Sequence, residues 1–217
     1  MGRAAAFFRA EGVLVGRPAV LAAGWLAANA QHLGQRAARL GAVALCAPFA
    51  LGLGDAATGQ RLAWSALRGM SEDRVAVLGE EYAREYLLPN IRPTGRDLLE
   101  RARRDGCVIV VISDLIAPIV APLADELRAD HRVCNRLELR NGRATGRLVD
   151  PVVTRFGGAV LRRYAEDHDI DLSASRAYGA AEADQVLLSS VDGPCAVHPD
   201  RALRRVAVDL DWPVVEG

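Results

Sequence analysis

Five β-branched side chains in a row, Val108, Ile109, Val110, Val111 and Ile112, follow an amphipathic stretch over 94–104 that ends in Asp105 and Gly106. A continuous run of this kind suits a strand buried on both faces, which is found where a parallel sheet is covered by helices on each side. The same alternation continues toward the C-terminus. Strands are predicted over 107–112, 132–139, 143–149, 176–178 and 194–197. Helices are predicted over 116–129, 158–167, 182–189 and 201–209. Asn141 and Gly142 between two strands are a two-residue hairpin signal. An apolar stretch over 4–8, followed at once by Glu11 and Gly12, supplies a first strand and its turn. The order predicts an α/β fold with a Rossmann-like, doubly wound and mostly parallel sheet.

Between that first strand and residue 90 the pattern changes to helical spacing over 18–40, 42–53, 58–68 and 72–88, broken by Pro48, by Gly52 and Gly54, and by Gly69. These stretches predict an all-helical insertion. The expected organisation is a core of 1–16 and 91–217 with a helical cap of 17–90. The longest apolar run, over 41–54, is shorter than the roughly 20 residues needed to span a bilayer and contains Pro48. No basic stretch followed by a long apolar run and a small-residue cleavage site opens the chain, so a cytoplasmic protein without a membrane span is expected.

Acidic and basic residues balance at 27 each, and every basic residue is Arg; the chain has no Lys. A balanced charge provides no global field to concentrate nucleic acid, so a nucleic-acid role is not expected. Cys46, Cys107, Cys134 and Cys195 form no C-x-x-C pair and suit reduced core positions. The histidines His32, His131, His168 and His198 lack metal-ligand spacing, and no G-x-S-x-G elbow is present. Trp25, Trp64 and Trp212 are expected in the core.

Several segments, in order, resemble the phosphoserine-phosphatase-like branch of the haloacid dehalogenase (HAD) superfamily. The apolar strand leading into Arg9-Ala10-Glu11-Gly12-Val13-Leu14 resembles its opening D-x-D-G-T-L motif. The strand ending in Ser113-Asp114 resembles its second motif. Cys134-Asn135-Arg136 with Asn141-Gly142 and Thr145-Gly146 resembles its hairpin. Tyr178-Gly179-Ala180-Ala181-Glu182-Ala183-Asp184 stands where the family has Y-G-D-S-x-x-D, and Ala196-Val197-His198-Pro199-Asp200 resembles the closing A-V-N-P-D. The resemblance implies a HAD core with an inserted helical cap and, in the family at large, phosphate-monoester hydrolysis with Mg²⁺.

It also implies what this chain lacks. The family's first Asp attacks phosphorus and its second protonates the leaving group; here those positions are Arg9 and Glu11. Arg stays protonated and has no nucleophilic oxygen. The first Asp of the metal motif is Ala180, leaving Asp184. The family's Lys has no counterpart except Arg155, a planar fork in place of a compact ammonium. Catalysed hydrolysis of a phosphate monoester demands on the order of 20 kcal/mol of barrier reduction. Loss of phosphatase action and of Mg²⁺ is therefore expected, with no cofactor in its place. A salt bridge from Arg9 to Asp184 or Glu11 is the structural expectation.

The candidate ligand-binding residues are Arg9, Ser113, Asp114, Asn135 and Arg155. Ser113-Asp114 is read either as an anion site or, with preference, as an ordinary helix N-cap. Asn135 is read either as pointing into the site or as satisfying hairpin backbone. Two functions stay open: binding of a small molecule or protein in the cleft between core and cap, and a repurposed metal-free enzyme of isomerase, cyclase or lyase type with Glu11 and Asp184 as acid–base groups. Residual phosphatase action ranks last. A homodimer through the apolar cap is a further expectation.

Overall fold

The computed structural model describes residues 2–16, 19–29, 41, 44, 56–149 and 156–216. They form one seven-stranded sheet in the order β4-β3-β2-β1-β5-β6-β7. Its strands are β1 (Ala5–Arg9), β2 (Val108–Ile116), β3 (His131–Arg140), β4 (Arg143–Val149), β5 (Arg176–Gly179), β6 (Gly193–Val197) and β7 (Val214–Val215). Every neighbouring pair is parallel except β3 with β4, which closes as a hairpin. The helices are α1 (Ala19–Ala28), α2 (Ala56–Ser65), α3 (Glu72–Tyr82), α4 (Pro93–Arg104), α5 (Ala117–Glu126), α6 (Gly158–Asp167), α7 (Gln185–Leu188) and α8 (Arg201–Asp209).

The α/β architecture with a doubly wound sheet agrees with the expectation, and the reason lies in the alternation of β1. Phe8 and Ala6 face one side of the sheet, in a cluster with Ile109, Val111, Leu99 of α4 and Ile119 of α5. Phe7 and Ala5 face the other, with Val110, Ile112, Leu161 of α6 and Leu203 of α8. Successive side chains of a strand point to opposite faces, so a strand apolar at every position must be covered twice.

The described helices preceding α4 share a core with the sheet. Leu26, Trp64, Leu67 and Tyr82 belong to the same cluster as Phe8 and Ile109. The segment after α2 is also clamped to the hairpin. Gly69 N donates to Ala144 O at 2.8 Å, Ala144 N donates to Met70 O at 2.8 Å, and Ser71 bridges Arg143. Asn141 and Gly142 both have positive φ, 50° and 68°, as the two central residues of a type I′ turn require.

Four details differ from the sequence reading. β2 runs on to Ile116 instead of ending at Ile112, and α5 starts at Ala117 with Ile116 as its N-cap. The helix expected over 72–88 loosens into a π turn, Ala83–Leu87, and a 3₁₀ turn, Leu88–Asn90, ahead of Pro93 at the start of α4. The stretch over 182–189 opens with a 3₁₀ turn, Glu182–Asp184, before the single turn of α7. A last strand, β7, follows α8, too short to carry a periodicity. Most of the stretches read as helices over 18–40 and 42–53, with Cys46 and His32, lies outside the described residues. Trp64 is fully buried, Trp25 packs at the cluster's edge and Trp212 packs against the other face. No helix among the described residues is long and apolar enough to cross a membrane.

Candidate functional site

β1 lies at the middle of the sheet, with β2 on one side and β5 on the other, so the chain leaves it in opposite directions to build the two halves. Ligands of open α/β sheets bind outside the carboxyl ends of strands at such a switch point. The residue at that point is Arg9, the last of β1, in register with Ile112. It is an arginine only 7% exposed.

Three carboxylates surround it. Arg9 Nη2 donates to Asp114 Oδ2 at 2.8 Å, Nε lies 2.8 Å from Asp184 Oδ1, and Nη2 is 3.7 Å from Glu11 Oε2. The Nε–H is not aligned on Asp184, so that contact is one of charge rather than a directed hydrogen bond. The expected partners Asp184 and Glu11 are both present. The aligned bond, however, goes to Asp114.

Each carboxylate is held by local backbone. Asp184, 4% exposed, accepts through Oδ2 from Ala180 N at 2.8 Å and Ala181 N at 3.0 Å, which ties the end of β5 to the turn that starts α7. Gly179 permits this approach, since a Cβ there would meet Asp184 Cβ at 2.7 Å. Glu11 sits in a tight loop after β1, in which Leu14 N and Val15 N both donate to Ala10 O and Gly12 has φ +87°. A Cβ on Gly12 would also run into the Ala180 methyl. From outside, Arg92 Nη1 donates to Gly12 O at 2.7 Å.

Asp114 reaches the site because β2 is irregular there. Ser113 pairs with Cys134, but the next pair is Ile116 with Asn135, so Asp114 and Leu115 are extra residues on β2. Such a bulge bends a strand and re-aims its side chains. Asn135 secures the bulge by donating from Nδ2 to Asp114 O at 2.7 Å. Ser113 Oγ donates to Glu11 Oε1 at 2.6 Å and accepts from Leu115 N at 3.1 Å, while Asp114 N donates to Glu11 Oε2 at 3.3 Å.

The preferred N-cap reading of Ser113-Asp114 is thereby corrected, because both residues lie within β2 and turn toward Arg9 and Glu11. Asn135 satisfies backbone, as one of its readings had it, but the backbone of β2 rather than of the hairpin. Arg155 lies outside the described residues. His131 and His168 pack on each other and on Tyr164, with ring centroids 4.7 Å and 4.3 Å apart.

The electrostatics follow from burial and crowding. Burial disfavours the charged form of Arg9, but Asp114, Asp184 and Glu11 outweigh that cost and its pKa is raised above the ordinary value. For Glu11, burial and the Asp114 charge raise the pKa to about 7 against the opposing pull of Arg9 and the Ser113 hydroxyl. Glu11 is thus a carboxyl that exchanges its proton near neutral pH. Several buried polar atoms in the same region have no hydrogen-bond partner among the described residues: Arg9 Nη1, Asp114 Oδ1 and Asn135 Oδ1.

The model of the haloacid dehalogenase-like hydrolase family matches residues 21–189. The inhibition of morphological differentiation protein of Streptomyces azureus is 31% identical over 150 residues, 69% of this chain and 54% of that protein. The phosphoserine phosphatase SerB2 of Mycobacterium tuberculosis is 35% identical over 132 residues, 60% of this chain and 31% of that protein. A substrate-bound phosphoserine phosphatase structure superposes with a TM-score of 0.70 at 18% identity, covering 100% of this chain and 94% of the other, a likeness of fold. The chain spans about half the length of the first curated relatives that it matches.

Proposed function

The chain belongs to the haloacid dehalogenase-like hydrolase family, and on that premise we propose that it is a non-hydrolytic member which binds a small molecule or a protein segment at the carboxyl end of its sheet. The observation that carries this reading is the position of Arg9. Its guanidinium stands at the end of the central strand, where the family resemblance puts an attacking carboxylate, and it is paired with Asp114 and Asp184. A guanidinium cannot attack phosphorus, and it stays charged at any physiological pH. Of the carboxylates described around the site, Asp114 lies on β2 rather than at the end of β1, accepts from Arg9 through Oδ2 and keeps Oδ1 without a hydrogen-bond partner among the described residues. Glu11 is engaged by Ser113 and Asp114, and Asp184 by two backbone amides.

Mg²⁺ does not fit this donor set as it stands. The ion takes oxygens at about 2.1 Å in a near-octahedral shell. Both Asp184 oxygens are taken, one by Ala180 N and Ala181 N and the other by facing Arg9, while Asp114 Oδ2 accepts from Arg9. The tethered cation stands among the oxygens that a metal would need.

The binding role is supported by the buried polar atoms at the carboxyl end of the sheet, on Arg9, Asp114 and Asn135, that find no partner among the described residues, since such atoms are costly unless something completes them. A homodimer through the apolar helices belongs to the same reading, with Leu21, Leu62 and Val77 among the exposed side chains that it would cover.

One observation favours a second reading, a repurposed metal-free enzyme. A carboxyl with a pKa of about 7, beside a fixed guanidinium, is matched to proton transfer at neutral pH, with Glu11 moving the proton and Arg9 holding an anionic group.

Incubation of the purified protein with p-nitrophenyl phosphate and Mg²⁺ tests the primary reading. The expected result is no turnover above a Glu11→Ala control. Robust turnover that disappears in Glu11→Ala would overturn it and restore the phosphatase assignment.

A further inference from the structure

We infer that Glu11, Asp114 and Asp184 form a cation site whose permanent occupant is the guanidinium of Arg9, so that this end of the sheet is organised without any dissociable ion. The three acids arrive from three separate places: the loop after β1, the bulge of β2 and the turn after β5. Arg9 reaches all three, at 3.7, 2.8 and 2.8 Å. Carboxylates gathered around one point repel one another, and the raised pKa of Glu11 comes first from its burial and then from the Asp114 charge. A cation between them offsets that repulsion.

Arg9 is suited to remain there. Its side chain is 9% exposed, and its backbone continues the sheet ladder, with Ala10 N donating to Ile112 O at 2.8 Å. The charge cannot diffuse away, whereas a bound metal could. Even so the fit is incomplete, since Nη1 and Asp114 Oδ1 have no hydrogen-bond partner among the described residues. The cluster is therefore a charge-matched pocket rather than a fully bonded network, and another cation of similar charge should be able to take over when the side chain is removed.

Complementation tests this. Arg9→Ala removes the side chain beyond Cβ, and N-ethylguanidinium has the size and charge of what is lost. Thermal unfolding of wild type and Arg9→Ala is followed with and without N-ethylguanidinium chloride, and separately with MgCl₂, against NaCl of equal ionic strength. The expected result is that wild type shows no shift specific to either cation. Arg9→Ala is expected to melt lower and to recover about 5–10 °C when N-ethylguanidinium reaches a hundredfold over its Kd. Arg9→Gln, which keeps most of the volume and loses the charge, is the companion if Arg9→Ala does not fold; it should gain Tm with MgCl₂.

Two results overturn the inference. One is a folded Arg9 variant that responds to neither cation, which would mean that the acids need no counter-charge. The other is a wild-type protein that binds Mn²⁺ tightly in an EPR titration, with the binding lost in Asp184→Asn, which would mean that a metal and Arg9 share the site. Because stability and metal binding are the readouts, neither result depends on whether the cleft captures a ligand or turns one over.

Discussion

Arg9 Nε lies 2.8 Å from Asp184 Oδ1, joining the last residue of β1 to the turn that follows β5, with the two residues 7% and 4% exposed. Removing one member of a buried ion pair strands the other without a counter-charge. Arg9→Ala is expected to destabilise the protein by about 3–5 kcal/mol, measured by urea unfolding. In a double-mutant cycle, Arg9→Ala with Asp184→Asn should cost less than the sum of the single changes, because each single change leaves a buried charge that the double does not. Strict additivity would show that the two do not interact.

Glu11 gives the pH dependence a definite sign. Its pKa in the folded protein is raised from 4.5 to about 7, so between those values the native state holds a proton that the unfolded state releases. Its contribution to stability is fully present below about 4.5 and is lost as pH rises through 7. The stability of wild type relative to Glu11→Gln is therefore expected to increase as pH falls from 8 to 5, since the carboxamide introduced by that substitution does not titrate. A difference that is flat with pH would rule out a raised pKa at this residue.

Gly12 is constrained twice, by its φ of +87° and by the Ala180 methyl that a Cβ would strike. Gly12→Ala should cost about 1–2 kcal/mol for the left-handed backbone and about 1–3 kcal/mol for overpacking. Adding Ala180→Gly should return the second part and not the first. Denaturant midpoints of the three variants separate the two causes.

Asn135, 1% exposed, satisfies the buried carbonyl of Asp114 and so braces the bulge that aims Asp114 at Arg9. Asn135→Ala is expected to cost about 1–3 kcal/mol for the unpaired carbonyl. If Asn135 also acts by aiming the Asp114 side chain, the cost of Asn135→Ala should fall, toward that of the unpaired carbonyl alone, in a protein that already carries Arg9→Ala. An undiminished effect would assign Asn135 a purely local role.

Much of the frame was legible in the residues. The β-branched run at Val108–Ile112, the Asn141-Gly142 turn and the apolar run of β1 each carry their own local cause, and the structure follows them. The bulge at Asp114 and Leu115 was not legible. Ser113-Asp114 ahead of an apolar helix is as good a cap in sequence terms as it is a strand end, and local propensity cannot decide between them. What decided it was pairing with β3, which holds β2 extended through Ile116.

The sequence by itself determined the fold class, the place of Arg9 at a strand end and the absence of Lys, because composition and order are enough for each of these. Only the tertiary structure decided that Asp114, rather than Glu11, accepts the aligned bond from Arg9, that Asp184 faces the guanidinium while two amides hold its other oxygen, and that Glu11 titrates near neutrality. The physical reason is that ion pairing and pKa depend on distance and burial among groups far apart in the chain. Those quantities come into being when β1, β2 and β5 are laid side by side.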